Sequence, residues 1–210
     1  MKVMLLNGSP HKDGCTHTAL NIMADVLHNE NIETEEFFIG IEPITPCRAC
    51  FACAKLKKCV IDDKVNKFVE KMEKCDGLII GSPVHYASAS GIITTFLDRA
   101  FFVGYFGRDV YAHKPGAAIV NARRAGTTAA LDQLNKYFTI SQMPVISGRY
   151  WNMTHGWTPD EIMQDKEGVQ NLKIVAKNMA WFLKCKELAL KSGLELPKLE
   201  EKIEVTNFIR

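Results

Sequence analysis

The segment Lys2-Val3-Met4-Leu5-Leu6-Asn7-Gly8-Ser9-Pro10 decides how this chain is expected to fold. Its apolar run ends in glycine, serine and proline, which predicts a buried strand over residues 2–7 followed by a turn. Residues 16–29 come next, and their apolar side chains recur with the spacing of a helix. The chain therefore begins as a strand, a tight turn and a helix.

The same alternation of strand and helix continues through most of the chain. Further strands are predicted at Glu33–Ile39, Gly77–Gly81, Gly116–Val120 and Met143–Ile146, and helices at 62–72, Gly91–Phe102, Thr127–Phe138 and Val169–Lys191. This alternation is typical of an α/β fold, in which helices cover both faces of a parallel sheet. Five strands favour a flavodoxin-like doubly wound sheet with strand order 2-1-3-4-5. We expect one domain over residues 1–194 and a C-terminal arm over 195–210 that packs on a second subunit.

Composition excludes several classes of function. Hydrophobic residues make up 47% of the 210 residues and the net charge is +2, as in an ordinary globular domain. That charge balance gives no reason to expect nucleic acid or a membrane surface as a partner. No apolar run approaches the ~18 residues of a membrane span, and the N-terminal run turns polar too soon for a signal peptide. We therefore expect a cytoplasmic protein.

The first turn, residues 8–16, is a candidate binding site. In an open parallel sheet, ligands bind at the carboxyl ends of the strands. This turn contains two glycines and two hydroxyl side chains and leads into a helix whose first amides are free, an arrangement that binds phosphate. It lacks the Gly-Lys-Ser/Thr of a P-loop, and a plain turn with Thr16 as helix cap is the alternative.

Two more loops follow buried strands at the same predicted edge of the sheet. Residues 82–91 are mostly small, so a flat ligand could lie against their backbone with His85 or Tyr86 stacked on it. Residues 121–127 contain Arg123 and Arg124, and an arginine there would stabilise negative charge on a ligand. Solvated surface side chains are the alternative at both loops. One phosphate-binding turn and two such loops indicate a mononucleotide with a planar ring, and FMN fits better than a dinucleotide.

Four of the 7 cysteines lie in one short segment, at Cys47, Cys50, Cys53 and Cys59. Their compact spacing argues against a zinc ribbon, and the expected compartment argues against disulfides. Three cysteines spaced two residues apart are the ligand pattern of a [4Fe-4S] cluster, with Cys59 as the fourth ligand. Free or redox-active thiols are the alternative. Cys15, at a helix N-terminus, is expected to have a lowered thiol pKa and to pack beside the phosphate.

On these residues the chain resembles the NAD(P)H-dependent FMN reductase and iron-sulfur flavoprotein group of flavodoxin-like proteins. The resemblance runs from about Lys2 to Lys184. Its motifs are Gly8-Ser9-Pro10 with Thr16, Ser82-Pro83-Val84, Phe96-Leu97-Asp98-Arg99, the cysteine segment 47–59, and Tyr150-Trp151-Asn152 with His155-Gly156. Asp98 and Arg99 are interpreted as a structural pair at a helix end, joined to each other or across a dimer. Trp151, His155 and Trp157 either line the flavin pocket or form a packed aromatic corner.

The resemblance implies which residues bind FMN. Those around the phosphate would be Ser9, His11, Cys15, Thr16 and His17. Those along the isoalloxazine ring would be Pro83, Val84, His85 and Tyr86, and those near its pyrimidine end Asn121, Ala122, Arg123, Arg124 and Gly126. The chain departs from the family at His11, where arginine is usual, and at Cys15, where asparagine or serine is usual. Because an imidazole can lose its charge, we expect phosphate to bind more weakly at high pH.

The function that the resemblance implies is that of an FMN-dependent oxidoreductase. It would take hydride from NAD(P)H and reduce a flavin, a quinone or another small acceptor, with no side chain assigned as acid or base. The alternative is an iron-sulfur flavoprotein that passes electrons between a ferredoxin-like donor, a [4Fe-4S] cluster and FMN. A redox sensor based on the cysteine segment is a third hypothesis. Family members usually form homodimers or homotetramers, so we expect a homo-oligomer.

Overall fold

The computed structural model describes residues 1–198 together with 204 and 206, and its centre is a β-sheet. The strands are β1 (Lys2–Asn7), β2 (Glu33–Phe38), β3 (Gly77–His85), β4 (Ser88–Ala89), β5 (Gly116–Ala122) and β6 (Met153–His155). All but β4 are parallel, in the order β2-β1-β3-β5-β6, and the short β4 pairs antiparallel with the end of β3. The predicted flavodoxin-like order is confirmed, with β4 as an addition to it.

Helices cover both faces of this sheet. They are α1 (Cys15–Asn29), α2 (Ala52–Leu56), α3 (Lys64–Met72), α4 (Gly91–Val103), α5 (Thr127–Ile140), α6 (Pro159–Gln164) and α7 (Lys166–Lys191), and a π-helical turn at Gly104–Arg108 extends α4. Alternate side chains of a strand point to opposite faces of a sheet. Val3 and Leu5 therefore pack with α1 and α7, whereas Met4 and Leu6 pack with α3, α4 and α5. Because both faces are covered, the central strands are mostly apolar, with polar residues towards their carboxyl ends.

The fifth parallel strand lies later in the chain than predicted. The segment Met143–Ile146 forms a single bridge between Val145 and Gly116, flanked by a hydrogen bond from the Gly116 amide to the Pro144 carbonyl (2.9 Å). Because Pro144 has no N–H group to donate, it cannot extend a ladder of backbone hydrogen bonds. The prediction of a full strand at Met143–Ile146 is therefore wrong, and this segment touches only the start of β5.

The chain leaves the sheet over residues 147–152 and returns as β6 beside the end of β5. Asn171 of α7 holds this excursion, since its Oδ1 accepts from the amides of Arg149 (2.9 Å) and Tyr150 (3.0 Å). Its Nδ2 donates to the carbonyl of Tyr150 (3.0 Å). One buried side chain thus replaces the missing ladder and returns the chain to the carboxyl edge of the sheet.

The predicted C-terminal arm lies mostly outside the described residues. Residues 195–198 are described and form neither helix nor strand, and the Pro197 carbonyl oxygen lies 3.1 Å from Nε2 of His113 in the same chain. Packing of the arm on a second subunit stays a prediction. Within the described part of the chain, no helix has the length and apolarity to cross a membrane.

Candidate functional site

An open cavity of about 940 Å³ lies where β1, β3 and β5 end. Its walls come from the three loops that the sequence predicts and from a fourth segment after β6. The predicted residues that line it are Ser9, His11, Cys15, Thr16, Pro83, Val84, His85, Asn121, Ala122 and Arg123. The carboxyl edge of the sheet therefore gathers most of the predicted cofactor residues around one space.

The first loop is a backbone cradle at the start of α1. Gly14 is the N-cap residue and has no side chain to cap the first helical turn, so the amides of that turn are free to bind an anion. Gly8 begins the loop directly against Ile93 of α4, where an added Cβ would lie 2.5 Å from the Ile93 Cδ1. Glycine at this position therefore allows the cradle to sit close against α4.

A buried asparagine fixes the shape of the cradle. The Asn7 side chain accepts a hydrogen bond from the Ser9 amide (3.0 Å) and donates to the Lys12 carbonyl (3.2 Å) and to Glu36 Oε1 (2.8 Å). The Ser9 hydroxyl accepts from the His11 amide (3.0 Å). Because these buried polar groups are paired within the protein, the loop is held in shape by its own contacts.

His17 lies on the flank of α1, outside the cavity wall. Its Nδ1 is 2.8 Å from Glu36 Oε2, and its Nε2 is 2.8 Å from Nδ2 of Asn21. Glu36 thereby links His17 to Asn7 and through it to the cradle. A direct contact between His17 and phosphate stays a prediction. In the structure His17 contacts Glu36, which in turn binds Asn7 at the cradle.

The second loop is a tight hairpin. β3 runs to His85 and turns back into β4 at Tyr86 and Ala87, whose φ angles are 50° and 60°. Two consecutive positive φ angles are those of a type I′ turn, and residues other than glycine are strained there. Tyr86 is fully exposed at the tip and does not line the cavity, whereas Pro83, Val84 and His85 do. Stacking of Tyr86 on a ligand stays a prediction.

The third loop meets this hairpin backbone to backbone. Gly126 has a φ of +89°, and an added Cβ there would lie 2.6 Å from the Ala87 Cα. Gly126 thus allows the two loops to meet, and it does not line the cavity. Arg123 does, with its guanidinium carbon 5.9 Å from the centroid of the Trp157 ring, whereas Arg124 lies outside the wall.

The fourth segment of the wall is Gly156–Pro159, of which Trp157 alone is predicted as a candidate for lining the pocket. The Thr158 hydroxyl accepts from the Glu161 amide (3.3 Å), and the Glu161 carboxylate accepts from the Trp157 amide (2.6 Å). These reciprocal bonds resemble a capping box and begin α6, with Pro159 in the first turn. The sequence Thr158-Pro159-Asp160-Glu161 is a helix-start signal, and it could have indicated that a helix begins at this edge of the cavity. Of the two interpretations left open for Trp157, the structure favours the pocket lining.

Cys15 lines the cavity, but its thiol is not activated. Burial raises the pKa of the Cys15 thiol, although a backbone hydrogen bond acts in the opposite direction. The expectation of a lowered pKa is therefore wrong, because loss of hydration disfavours the thiolate more than the helix N-terminus favours it.

The four cysteines of the segment 47–59 line one small pocket beside the second half of α4. The pocket is lined by Cys47, Arg48, Cys50, Phe51, Cys53, Cys59, Val60, Ile61, Arg99, Phe102 and Val103. Cys53 is buried, and burial raises its pKa, whereas Cys50 is exposed. The four thiols of the cysteine segment thus form a second site, which shares no lining residue with the open cavity.

Side chains from two helices fix Cys59. Asn66 of α3 accepts from the Cys59 amide (2.9 Å) and donates to its carbonyl (3.0 Å). Arg99 of α4 donates from Nη2 to the Cys59 Sγ (3.2 Å). Asp98 accepts instead from the Tyr137 hydroxyl (2.5 Å), so the pairing of Asp98 and Arg99 with each other is wrong, whereas pairing across a dimer stays a prediction. Successive helical residues point in different directions, and α4 continues to Val103 rather than ending at this pair.

The pocket has the donor chemistry of an iron-sulfur site. Thiolates are the usual ligands of such clusters, and four thiols line the pocket. Among residues 1–198, 204 and 206, however, no three His, Cys, Asp or Glu side chains converge as a bound metal ion would require. The donor set therefore fits a cluster, and the presence of the cluster stays a prediction.

Comparison with known proteins decides the family. A family model described as NADPH-dependent FMN reductase matches residues 1–158, which include the cysteine segment, the first three cavity walls and all of the fourth except Pro159. The chain belongs to the NADPH-dependent FMN reductase family. The matched region contains the whole sheet and helices α1 to α5, and it ends before α6.

This FMN reductase family member is also similar to proteins with other names. It is 29% identical over 192 residues to an iron-sulfur flavoprotein of Methanocaldococcus jannaschii, a match that covers 88% of this chain and 98% of the relative. The solved flavoenzyme FerB, an NAD(P)H:(acceptor) oxidoreductase from Paracoccus denitrificans, is 16% identical with a TM-score of 0.65, covering 88% of this chain and 97% of the other. An archaeal flavodoxin is 14% identical with a TM-score of 0.58, covering 88% and 99%. The two solved structures establish the flavodoxin-like fold.

The cavity of this FMN reductase family member fits a flavin mononucleotide. The free amides of α1 and the buried Thr16 suit a phosphate, and the wall also includes His11, Lys12 and Arg123 against the acidic Asp13. Residues 83–85 of the hairpin and residues 121–123 of the third loop line the same cavity as the cradle. A flavin-dependent oxidoreductase is therefore the class to which both family and cavity point.

Proposed function

We propose that this chain is an iron-sulfur flavoprotein, an oxidoreductase that holds FMN in the open cavity and a [4Fe-4S] cluster in the cysteine pocket. The observation that carries the proposal is that four cysteine thiols line a single pocket. The iron-sulfur flavoprotein of M. jannaschii, which this chain matches over nearly the whole of that relative, supports it.

The residues of this chain would bind and orient the flavin. The amides of the first turn of α1, with the Thr16 hydroxyl and His11, would bind the phosphate. The backbone of residues 83–85 would lie along the ring, and Arg123 would stabilise negative charge near its pyrimidine end. Bound FMN supplies hydride and single-electron chemistry. The protein itself would bind the flavin and stabilise its charge, and no side chain would act as acid or base.

Helix α4 connects the two sites. At its N-terminus the Ser90 hydroxyl donates to the Gly8 carbonyl (2.9 Å), at the base of the cradle. Further along the same helix, Arg99 reaches the cysteine pocket. At 1.5 Å per residue, Gly91 and Arg99 are about 12 Å apart along the helix axis. Helix α4 would therefore hold the two proposed redox sites at a fixed separation.

A cluster-free NAD(P)H-dependent FMN reductase is the second candidate. It is favoured by the fact that the thiols do not converge as a metal site within the described residues. FMN would be bound by the same cavity walls, and NAD(P)H would reach it from the open side. The four cysteines would then be free or redox-active thiols.

Anaerobic purification followed by cofactor analysis separates the two candidates. Iron, acid-labile sulfide and FMN are measured per chain, and the flavin spectrum is followed after addition of NADH or NADPH. We expect about four irons and about four sulfides per chain together with bound FMN. Iron-free protein whose flavin is bleached by a nicotinamide would replace the proposal with the second candidate. Absence of flavin under all conditions would contradict both and leave the cysteine-based redox sensor.

We infer further that the electron partner is a ferredoxin-like protein or a small molecule and that the chain forms a homodimer or a homotetramer. Both inferences are supported by the family rather than by a contact in this structure. Reduction rates with a ferredoxin and with NAD(P)H, compared side by side, identify the donor. Sedimentation velocity measures the assembly, and a monomer would contradict the second inference.

A further inference from the structure

Arg99 is a buried charge that faces the cysteine pocket. Its side chain is 1% exposed, and it is held by Asp63 through Nη1 to Oδ2 (2.5 Å) and Nη2 to Oδ1 (3.0 Å). Nη2 also donates to the Ile61 carbonyl (3.0 Å) and Nη1 to the Thr45 carbonyl (3.3 Å). A guanidinium stays protonated in proteins, so Arg99 places a permanent charge beside the pocket.

One donor of this guanidinium reaches a thiol of the pocket, and another has no partner. Nη2 donates to the Cys59 Sγ (3.2 Å), and Nε is buried with no acceptor among the described residues. Leaving a buried N–H unpaired costs about 1–3 kcal/mol, so such a group is a sign of a partner that arrives with a ligand. An anionic group held by the four thiols would provide that partner.

We propose that Arg99 is a positioning residue that fixes Cys59 and makes the group held by the cysteines easier to reduce and slower to lose. This inference rests on the proposed function. Reduction adds negative charge to a thiolate-bound cluster, and a fixed cation with hydrogen bonds to sulfur favours the more negative state. Asp63 binds the same guanidinium with the opposite charge, and it acts against Arg99.

Because Arg99 and Asp63 carry opposite charges, their removal should shift the reduction potential in opposite directions. A merely structural role would not produce opposite shifts. Arg99→Gln removes the cation, so the reduction potential of the cluster should shift to more negative values. Asp63→Asn removes the anion but keeps an oxygen to cap α3 at the Val65 amide, where Asp63 Oδ1 now accepts (3.0 Å). Its potential should shift to more positive values. Arg99→Lys keeps the charge but not the planar fork, so it should restore part of the potential.

The matched control is Arg108→Gln. Arg108 pairs with Glu73 (2.9 Å) and is not among the residues that line the pocket, so this variant loses the same charge without losing a bond to sulfur. The potential is measured by anaerobic redox titration followed by electron paramagnetic resonance. The rate of iron release to a chelator is measured in parallel. We expect release to be about tenfold faster in Arg99→Gln, at the low end of the range for groups that orient metal ligands.

Each outcome decides the role of Arg99. Opposite shifts in Arg99→Gln and Asp63→Asn, with Arg108→Gln unchanged, support the inference. Shifts of the same sign in the first two variants, or an equal shift in the control, overturn it. If Arg99→Gln does not fold, the sign of the shift in Asp63→Asn decides alone. Iron-loaded proteins that share one potential would overturn only the role of Arg99, whereas an iron-free wild type would overturn the proposed function as well.

Discussion

The open cavity and the cysteine pocket both lie against α4, yet they are built in different ways. The cavity is made of backbone: free amides at the start of α1, a strained hairpin turn and glycines that let loops meet. The pocket is made of side chains from the cysteine segment and from the second half of α4. Cys59 contacts Asn66 seven residues away and Arg99 forty residues away. The first site follows from the fold, and the second depends on particular long-range pairs.

This difference predicts which changes each site tolerates. A backbone site withstands replacement of many lining side chains but is sensitive to an added Cβ where two loops touch. A side-chain site is sensitive to the loss of one thiol or of the group that holds it. The two sites should therefore fail independently of each other.

The largest effect is expected from Cys50→Ser. Removal of one ligand of a cluster should lower the iron content at least about tenfold, because each ligand is needed to hold the cluster. FMN content should stay unchanged, since Cys50 is exposed and does not line the cavity. Iron and flavin per chain are measured on the anaerobically purified variant. Cys185→Ser on α7, which removes a thiol elsewhere, is the control. Loss of flavin together with iron would contradict the independence of the two sites.

The cavity could largely be predicted from sequence because its parts are local. Gly8-Ser9-Pro10, Ser82-Pro83-Val84 and the loop at residues 121–126 each follow an apolar strand, and parallel strands place their ends at one edge. The position of the fifth strand could not be predicted in this way. Its three residues at Met153–His155 are not an apolar run, and the contacts that hold the excursion before them come from Asn171 on another helix.

The arrangement of the cysteine pocket was beyond sequence reasoning for the same physical reason. The spacing of the cysteines indicates a shared site, but the partner of Cys59 lies on α4, and no local pattern links the two. The segment also turns through left-handed conformations at Ala49, Phe51 and Lys57, none of which is glycine. Residue type did not indicate those turns, because tertiary contacts rather than intrinsic preference impose them.

Gly126→Ala should break the cavity while leaving the cysteine pocket intact. The added Cβ would meet the Ala87 Cα at 2.6 Å in a left-handed conformation, so we expect a loss of about 2–4 kcal/mol of stability and weaker flavin binding. Denaturant unfolding and flavin titration measure the two effects. The matched control is Gly91→Ala in the first turn of α4, where nothing lies within 4 Å of the added Cβ and stability should be unchanged or slightly raised. Equal behaviour of the two variants would contradict the argument.

His11→Arg should sharpen the role of charge in the cradle. His11 lines the cavity, and an imidazole loses its charge as pH rises whereas a guanidinium does not. The affinity of the wild type for FMN should therefore fall relative to that of His11→Arg between pH 5.5 and 8.5, by about tenfold in all. Because the phosphate of FMN also titrates near pH 6, the ratio of the two dissociation constants at each pH is the informative quantity. A ratio that does not change with pH would exclude His11 as a charged ligand.

Cys15→Ser should have the smallest effect, visible only in the pH dependence of stability. Burial raises the pKa of the Cys15 thiol in the native state, so above the ordinary thiol pKa of about 8.5 the unfolded chain loses a proton that the native chain keeps. The unfolded state then binds fewer protons, and the free energy of unfolding of the wild type falls with rising pH, by at most about 1.4 kcal/mol per pH unit.

The serine variant lacks this dependence, so its stability relative to the wild type should rise between pH 8.5 and the native pKa. Urea unfolding from pH 7 to 10 measures the difference, with Cys185→Ser again accounting for loss of a thiol. If the serine variant instead gained nothing above pH 8.5, the Cys15 thiol would ionise as readily in the cavity as in water, and the helix N-terminus would be strong enough to offset burial.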